Sequence, residues 1–207
     1  MELDRFLDDL SSDAPVPGGG SVAALSAALG AALVSMVGGL TVGRKRYADV
    51  EKEAGELQAT ARELMRRSSR LIDEDASAFR RVSEAMSLPR DTDEAKSERT
   101  AQIQTALKGA TEPPLETMRV ARDVMLLAQR IAAIGNKSAI SDAASAALMA
   151  AAAFEAARLN VEINLASVHD APWVGAKRTE LEGLGNVAAE AGPIVEAAGR
   201  RIRGETA

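Results

Sequence analysis

Two segments, "SVAALSAALGAALVSMVGG" from Ser21 and "SDAASAALMAAAAFEAA" from Ser141, place small apolar residues on nearly every face of a helix. Neither alternates apolar and polar residues as a half-buried strand does, and both are too long for a strand. Side chains this small let helix backbones approach closely, so the two segments are expected as the central pair of an all-α bundle. Aromatic residues make up only 2% of the chain against 46% hydrophobic residues, so the core has to be built from Ala, Leu, Val, Ile and Met. Alanine-rich helices bury little area each, at about 25 cal/mol per Å² of apolar surface, and such a core gains from burial between subunits. A homodimer with twofold symmetry is the simplest expectation.

The 207 residues suit one domain spanning residues 1–207. The net charge of -5, without a block of like charge, argues against a nucleic-acid partner. With no cysteine and a single histidine, disulfides, thiolate chemistry and a His-rich metal site drop out, and no metal is expected. No charge falls between Asp13 and Arg44, so Val22 to Val42 has the length of a membrane span. Gly30, Gly38, Gly39, Ser26, Ser35 and Thr41 dilute that stretch, and "MELDRFLDDLSSD" before it is acidic where a signal peptide carries positive charge. A buried helix with no membrane partner, in a cytoplasmic protein, is the expectation.

Helical periodicity and punctuation predict six or seven helices. A short amphipathic helix covers Leu3 to Leu10, and a core helix runs from an N-cap at Ser21 to about Gly38. A long helix follows from about Ala48 to Ser87, where Pro89 stops it. "DEAKSERTAQIQTALKGAT" forms a third core helix that ends before Pro113 and Pro114, and a fourth runs from there to about Ile134. Ser138 or Ser141 opens the second Ala-rich helix, which reaches Ser167. A final polar helix, interrupted by Gly183, Gly185, Gly192 and Pro193, follows Pro172.

Candidate chemistry lies at a few positions. Gly18, Gly19 and Gly20 open the first core helix, where backbone N–H groups and the positive dipole end suit negative charge. No strand precedes them and no Gly-Lys-Ser/Thr follows, so a nucleotide loop is rejected. Leu71, Asp75 and Phe79 share one helix line, which puts a carboxylate on an apolar stripe as either a structural acceptor or an acid/base. Asp142 either complements a helix N-terminus or belongs to a polar knot with Asn136, Lys137, Ser138 and Ser141. Asn160 and Asn164, one turn apart, either bond a neighbouring helix or read the edge of a heterocycle. Arg44, Lys45 and Arg46 form a cationic helix end able to meet carboxylates. His169 has suitable chemistry but lies past a helix end, and Trp173 reads as a packing anchor.

Taken in order, "PVPGGGSVAALSAALGAALVSMV", "LTVGRKRY", "LIDEDASAF", "LPRDTDEAKSERTAQIQTALKGATEPPL", "GNKSAISDAASAA" and "LNVEINL" resemble the cyclodeaminase/cyclohydrolase family, from about Leu7 to Leu165. The resemblance implies an all-helical dimeric enzyme acting on a one-carbon-substituted tetrahydrofolate, with no cofactor beyond that substrate. The activity implied is methenyltetrahydrofolate cyclohydrolase, formiminotetrahydrofolate cyclodeaminase, or both. In either reaction a tetrahedral carbon forms between two nitrogens, and a proton must be shuttled. On this resemblance Asp142 or Asp75 becomes the acid/base, and Asn136 and Ser21 position the reacting atoms. Gly18, Gly19 and Gly20 lie against the pterin, Asn160 and Asn164 bind it, and Lys45 with Arg44 meets the glutamyl tail. The competing reading is a non-catalytic helical module that binds folate or a partner.

Overall fold

A computed structural model describes residues 2–205. Seven α-helices follow one another: α1 Leu3–Ser11, α2 Gly19–Thr41, α3 Glu51–Met86, α4 Asp93–Ile134, α5 Ile140–Ser167, α6 Ala171–Gly183 and α7 Val187–Ile202. Short 3-10 turns at Lys45–Val50 and Lys137–Ala139 lead into α3 and α5, and no strand occurs among the described residues.

Helices α2 to α5 form the core. Ser35 of α2 accepts a hydrogen bond from Arg62 of α3, and Gly38 sits on Gln58, so α3 runs antiparallel to α2. Asn160 lies against Gly19 and the Ala146 carbonyl against Gly30, so α5 is antiparallel to α2 as well. Helix α4 packs between α3 and α5 on the far side, and α7 lies on α5 and α4. The two small-residue helices do pack directly on one another. Gly30 shows why: a methyl group there would come within 3.1 Å of the Ala146 carbonyl oxygen. The interior holds Leu71, Leu115, Met118, Met125 and Phe154 between alanine faces.

Helices α2 and α5 are both long and apolar enough to cross a membrane by length and composition, yet 56% of the most apolar stretch of α2 is buried inside the bundle. The bundle leaves one stripe of α2 uncovered, with Leu29, Met36 and Leu40 at 48%, 43% and 38% exposure.

Four sequence expectations change. The break at Pro113–Pro114 does not occur, because α4 runs unbroken from Asp93 to Ile134 through both prolines. Pro114 cannot donate to the Ala110 carbonyl as an ordinary residue would. The Asn164 side chain of α5 donates to that carbonyl instead, at 2.8 Å. Helix α2 begins earlier than expected, with Gly18 at the N-cap, and Ser21 lies inside the first turn, fully buried. The final polar helix divides into α6 and α7 at Gly185, whose φ of 78° suits glycine, while Gly192 and Pro193 are tolerated within α7. Phe79 leaves the apolar stripe begun by Leu71 and stands 43% exposed.

Candidate active site

Helix α2 starts part-way along its neighbours. Its first turn lies level with Asp75 on α3 and Asn160 on α5. Helix α3 continues from there to Met86 and α5 to Ser167, about 16 Å and 10 Å further at 1.5 Å per residue. The glycine-rich start of α2 therefore forms a step, the floor of a recess between the continuing ends of α3 and α5, with α1 and Val16–Pro17 beside α3 at Ile72, Asp73, Ala76 and Arg80.

Asp75 is the central group on that floor. Its Oδ2 accepts from the Ser21 hydroxyl at 3.0 Å, while the same hydroxyl lies 3.3 Å from the Ile72 carbonyl oxygen. The Ser21 backbone N–H also bonds to the carboxylate, so Asp75 caps α2 from a neighbouring helix. Burial raises the Asp75 pKa above its ordinary carboxylate value, against the two Ser21 hydrogen bonds, which lower it. The balance leaves a carboxylate with unusual proton affinity at the base of a cleft. Gly20 makes the arrangement possible. A Cβ there would fall 2.2 Å from Oδ1, 2.6 Å from Cγ and 2.8 Å from Oδ2 of Asp75.

The other residues at this end divide by role. Gly19 approaches the Asn160 amide, where a Cβ would meet Nδ2 at 3.3 Å, and Gly18 is open except for the Pro15 carbonyl oxygen at 3.9 Å. Asn160 donates Nδ2 to Ala156 within its own helix. Among the described residues no donor reaches its Oδ1. Asn164 has a structural task at the Ala110 carbonyl, in line with one of the two uses its spacing allowed.

A second polar cluster forms at the opposite end of α2. Arg44, Lys45 and Arg46 are exposed, and the Arg46 guanidinium lies 5.8 Å from the centre of the Tyr47 ring. The Tyr47 hydroxyl accepts the Lys137 backbone N–H at 2.9 Å. Asn136 ties this end together. Its N–H donates to the buried Thr41 hydroxyl at 2.9 Å, its Nδ2 to the Leu40 carbonyl at 2.9 Å, and its Oδ1 accepts from Ser138 N at 3.0 Å. Asp142 lies half-buried in the first turn of α5, where it complements the dipole.

Within one chain, then, Ser21, Asp75, Gly18, Gly19, Gly20 and Asn160 come together. Asn136, Asp142, Arg44 and Lys45 gather about 30 Å away, the length of α2. His169 uses its backbone N–H to bond Gln104 at 2.7 Å. Trp173 packs on the Ala78, Val82 and Leu107 cluster between the Lys108 and Lys177 ammonium groups, at 5.6 Å and 5.7 Å. Sequence reasoning passed over Gln58 and Arg62, which lie against α2 at Gly39 and Ser35. The Gly38–Gly39 pair, an unusual step inside a helix, was the signal for a close neighbour there.

An antiparallel four-helix core with a half-buried carboxylate held against a glycine-rich helix start defines the class: an all-α protein with a candidate acid/base group at one end of the bundle. The chain belongs to the Formiminotransferase-cyclodeaminase family, whose model matches residues 2–183. It is 45% identical over 194 residues to a methenyltetrahydrofolate cyclohydrolase of Methylorubrum extorquens, covering 94% of this chain and 92% of that protein. It is also 35% identical over 182 residues to the formimidoyltransferase-cyclodeaminase of Sus scrofa, but spans only 34% of that longer protein. The crystal structure of a formiminotetrahydrofolate cyclodeaminase from Thermotoga maritima has the same fold, with a TM-score of 0.83 and 28% identity over 99% of this chain and 96% of that one.

Proposed function

We propose that this chain is a folate one-carbon enzyme, a methenyltetrahydrofolate cyclohydrolase that needs no cofactor beyond its substrate. The observation that carries the reading is the Asp75 carboxylate, held by Ser21 on the floor of the recess. Water adds to the cationic carbon between N5 and N10, and one C–N π bond moves onto nitrogen. Asp75 takes a proton from the attacking oxygen. As the tetrahedral carbon collapses, the hydroxyl loses its proton, the C=O bond forms, the C–N5 bond breaks and Asp75 returns its proton to N5. One proton is released overall. Before attack the ionised carboxylate also faces a cation, which it stabilises. The Asn160 Oδ1 accepts from a pterin N–H. The fold match to the Thermotoga maritima enzyme favours cyclodeamination as a second reading, in which N10 attacks a formimino carbon and ammonia leaves, with the same proton shuttle.

The uncovered stripe of α2 supports a homodimer. Val22, Leu25, Leu29, Leu33, Met36 and Leu40 repeat at intervals of three and four, the pattern of a helix that packs on another. A twofold axis across the middle of α2 sets two copies antiparallel and covers both stripes. The same operation brings the cationic end of one copy beside the Asp75 end of the other. The partner subunit's Arg44 and Lys45 then lie in reach of the glutamyl carboxylates of a folate whose bridge sits at Asp75.

Two assays test these statements. Purified protein mixed with methenyltetrahydrofolate should accelerate loss of the methenyl absorbance; formimino substrate yielding methenyl product and ammonia marks the second reading. Failure of both leaves a binding module and removes the enzyme. For the shared site, Asp75→Asn and Arg44→Glu/Lys45→Glu chains are each inactive alone. Mixed and allowed to exchange, they should regain about a quarter of wild-type activity, because half the dimers carry one intact site. No recovery despite exchange places the site within one chain.

A further inference from the structure

We propose, resting on the folate reading above, that Phe79 is a substrate-binding residue whose ring packs against the fused heterocycle of the folate. Three observations converge on it. The chain has three phenylalanines, and the other two are buried, Phe6 at 5% and Phe154 at 2% exposure, whereas Phe79 stands 43% exposed. It lies one turn beyond Asp75 on the same line of α3, so their Cβ atoms are about 6 Å apart. That line of α3 meets the first turn of α2 at Ile72 and Asp75, and α2 does not extend past Gly19, so Phe79 lies one turn beyond the α3 residue that bonds α2. The small apolar cluster on the adjoining face of α3, with Ala78, Val82, Leu107, Ala110 and Val168 buried, does not include Phe79. On α5, Ile163, one turn beyond Asn160, is 68% exposed.

The chemistry of the occupant follows. A carboxylate with a phenyl face one turn away suits a flat ring system that carries delocalised positive charge. The methenyl bridge puts such a charge into a five-membered ring fused to the pterin. Its edge and carbon meet Asp75 while its face meets Phe79, whose ring quadrupole attracts the cation. The neutral product loses that attraction and leaves more readily.

The test is a set of Phe79 variants in the full-length protein, read by KM, kcat, binding of the neutral product analogue 5-formyltetrahydrofolate by calorimetry, and mass in solution. Phe79→Ala should raise KM for methenyltetrahydrofolate about tenfold, the equivalent of ~1.4 kcal/mol, with a smaller loss of affinity for the neutral analogue. Phe79→Trp should restore KM, and Phe79→Leu, apolar but without a π face, should not. An active Phe79→Ala enzyme with unchanged KM overturns the proposal. So does a raised KM that Phe79→Leu rescues fully, or one that vanishes at high protein concentration as dimers re-form. If wild-type protein neither turns over nor binds folates, the functional reading fails before Phe79 is at issue.

Discussion

Gly20→Ala isolates the contact on which the candidate site depends. The added methyl group would overlap all three atoms of the Asp75 carboxyl group, at 2.2 to 2.8 Å. Two rigid helices hold the backbones, so the side chain yields and swings out of the first turn of α2. It then loses the Ser21 hydroxyl at 3.0 Å and the Ser21 N–H. Losing hydrogen bonds to a charged group costs about 1.5–3 kcal/mol after the carboxylate is rehydrated. Alanine in a helix returns about 0.5–1 kcal/mol relative to glycine. The net loss is about 1–2 kcal/mol, or roughly 2–8 °C in Tm for a chain of this size. Turnover falls much further, about a hundredfold or more, since the proton shuttle is displaced. Differential scanning calorimetry and the methenyl absorbance assay read the two effects. Asp75→Ala as background sharpens the result, because with no carboxylate to displace Gly20→Ala should become neutral or stabilising. Gly18→Ala, whose Cβ meets only the Pro15 carbonyl oxygen at 3.9 Å, should leave Tm unchanged. Wild-type turnover in Gly20→Ala, or the same Tm loss in both backgrounds, would refute the reasoning.

Two further outcomes follow from the same geometry. Burial raises the Asp75 pKa above its ordinary value of 3.8, so the native state binds more protons than the unfolded one between that value and the raised one. Its contribution to stability is complete below the unfolded pKa and is lost as pH rises through the folded one. Asp75→Asn should therefore gain stability relative to wild type as pH is raised from about 4 to about 7, in denaturant titrations run across that range. A flat difference would remove burial as the dominant influence. At the α4–α5 contact, Asn164→Ala should cost about 1–2 kcal/mol by orphaning the Ala110 carbonyl, and much less in a Pro114→Ala background, where residue 114 regains the N–H that this carbonyl accepts. Equal cost in both backgrounds would show that Asn164 has another task.

What the sequence discloses and what it hides separate along physical lines. The two small-residue core helices were readable because apolar runs of this length are too long for strands; so was the inward aspect of Asp75, set by its register with Leu71. The Pro113–Pro114 reading failed for a reason local rules cannot contain. Proline ends a helix when its missing hydrogen bond has no substitute, and the substitute here comes from Asn164, fifty residues later on another helix. Ser21 misled in the same way: it has the chemistry of an N-cap, but the cap is supplied in trans by Asp75, which frees the chain to start α2 at glycines that let the carboxylate approach.

The separation of the polar residues into two ends has the same origin. Nothing in residue spacing says that α2 is flanked by antiparallel neighbours, so residues 136 and 142 and residues 21 and 75 can look equally close to one site. Once the topology is fixed, α2 alone holds them about 30 Å apart. An acidic, ring-lined floor at one end and a cationic, exposed rim at the other are each half of what a cationic bridge with an anionic tail requires. The uncovered apolar stripe between them, Leu29 to Leu40, runs along about 16 Å of that gap. In the dimer proposed above, antiparallel pairing of that stripe would close the gap without moving a residue within either chain, and dimerisation would then be a condition of catalysis. The mixed-chain experiment is the measurement on which these two consequences of one helix stand or fall together.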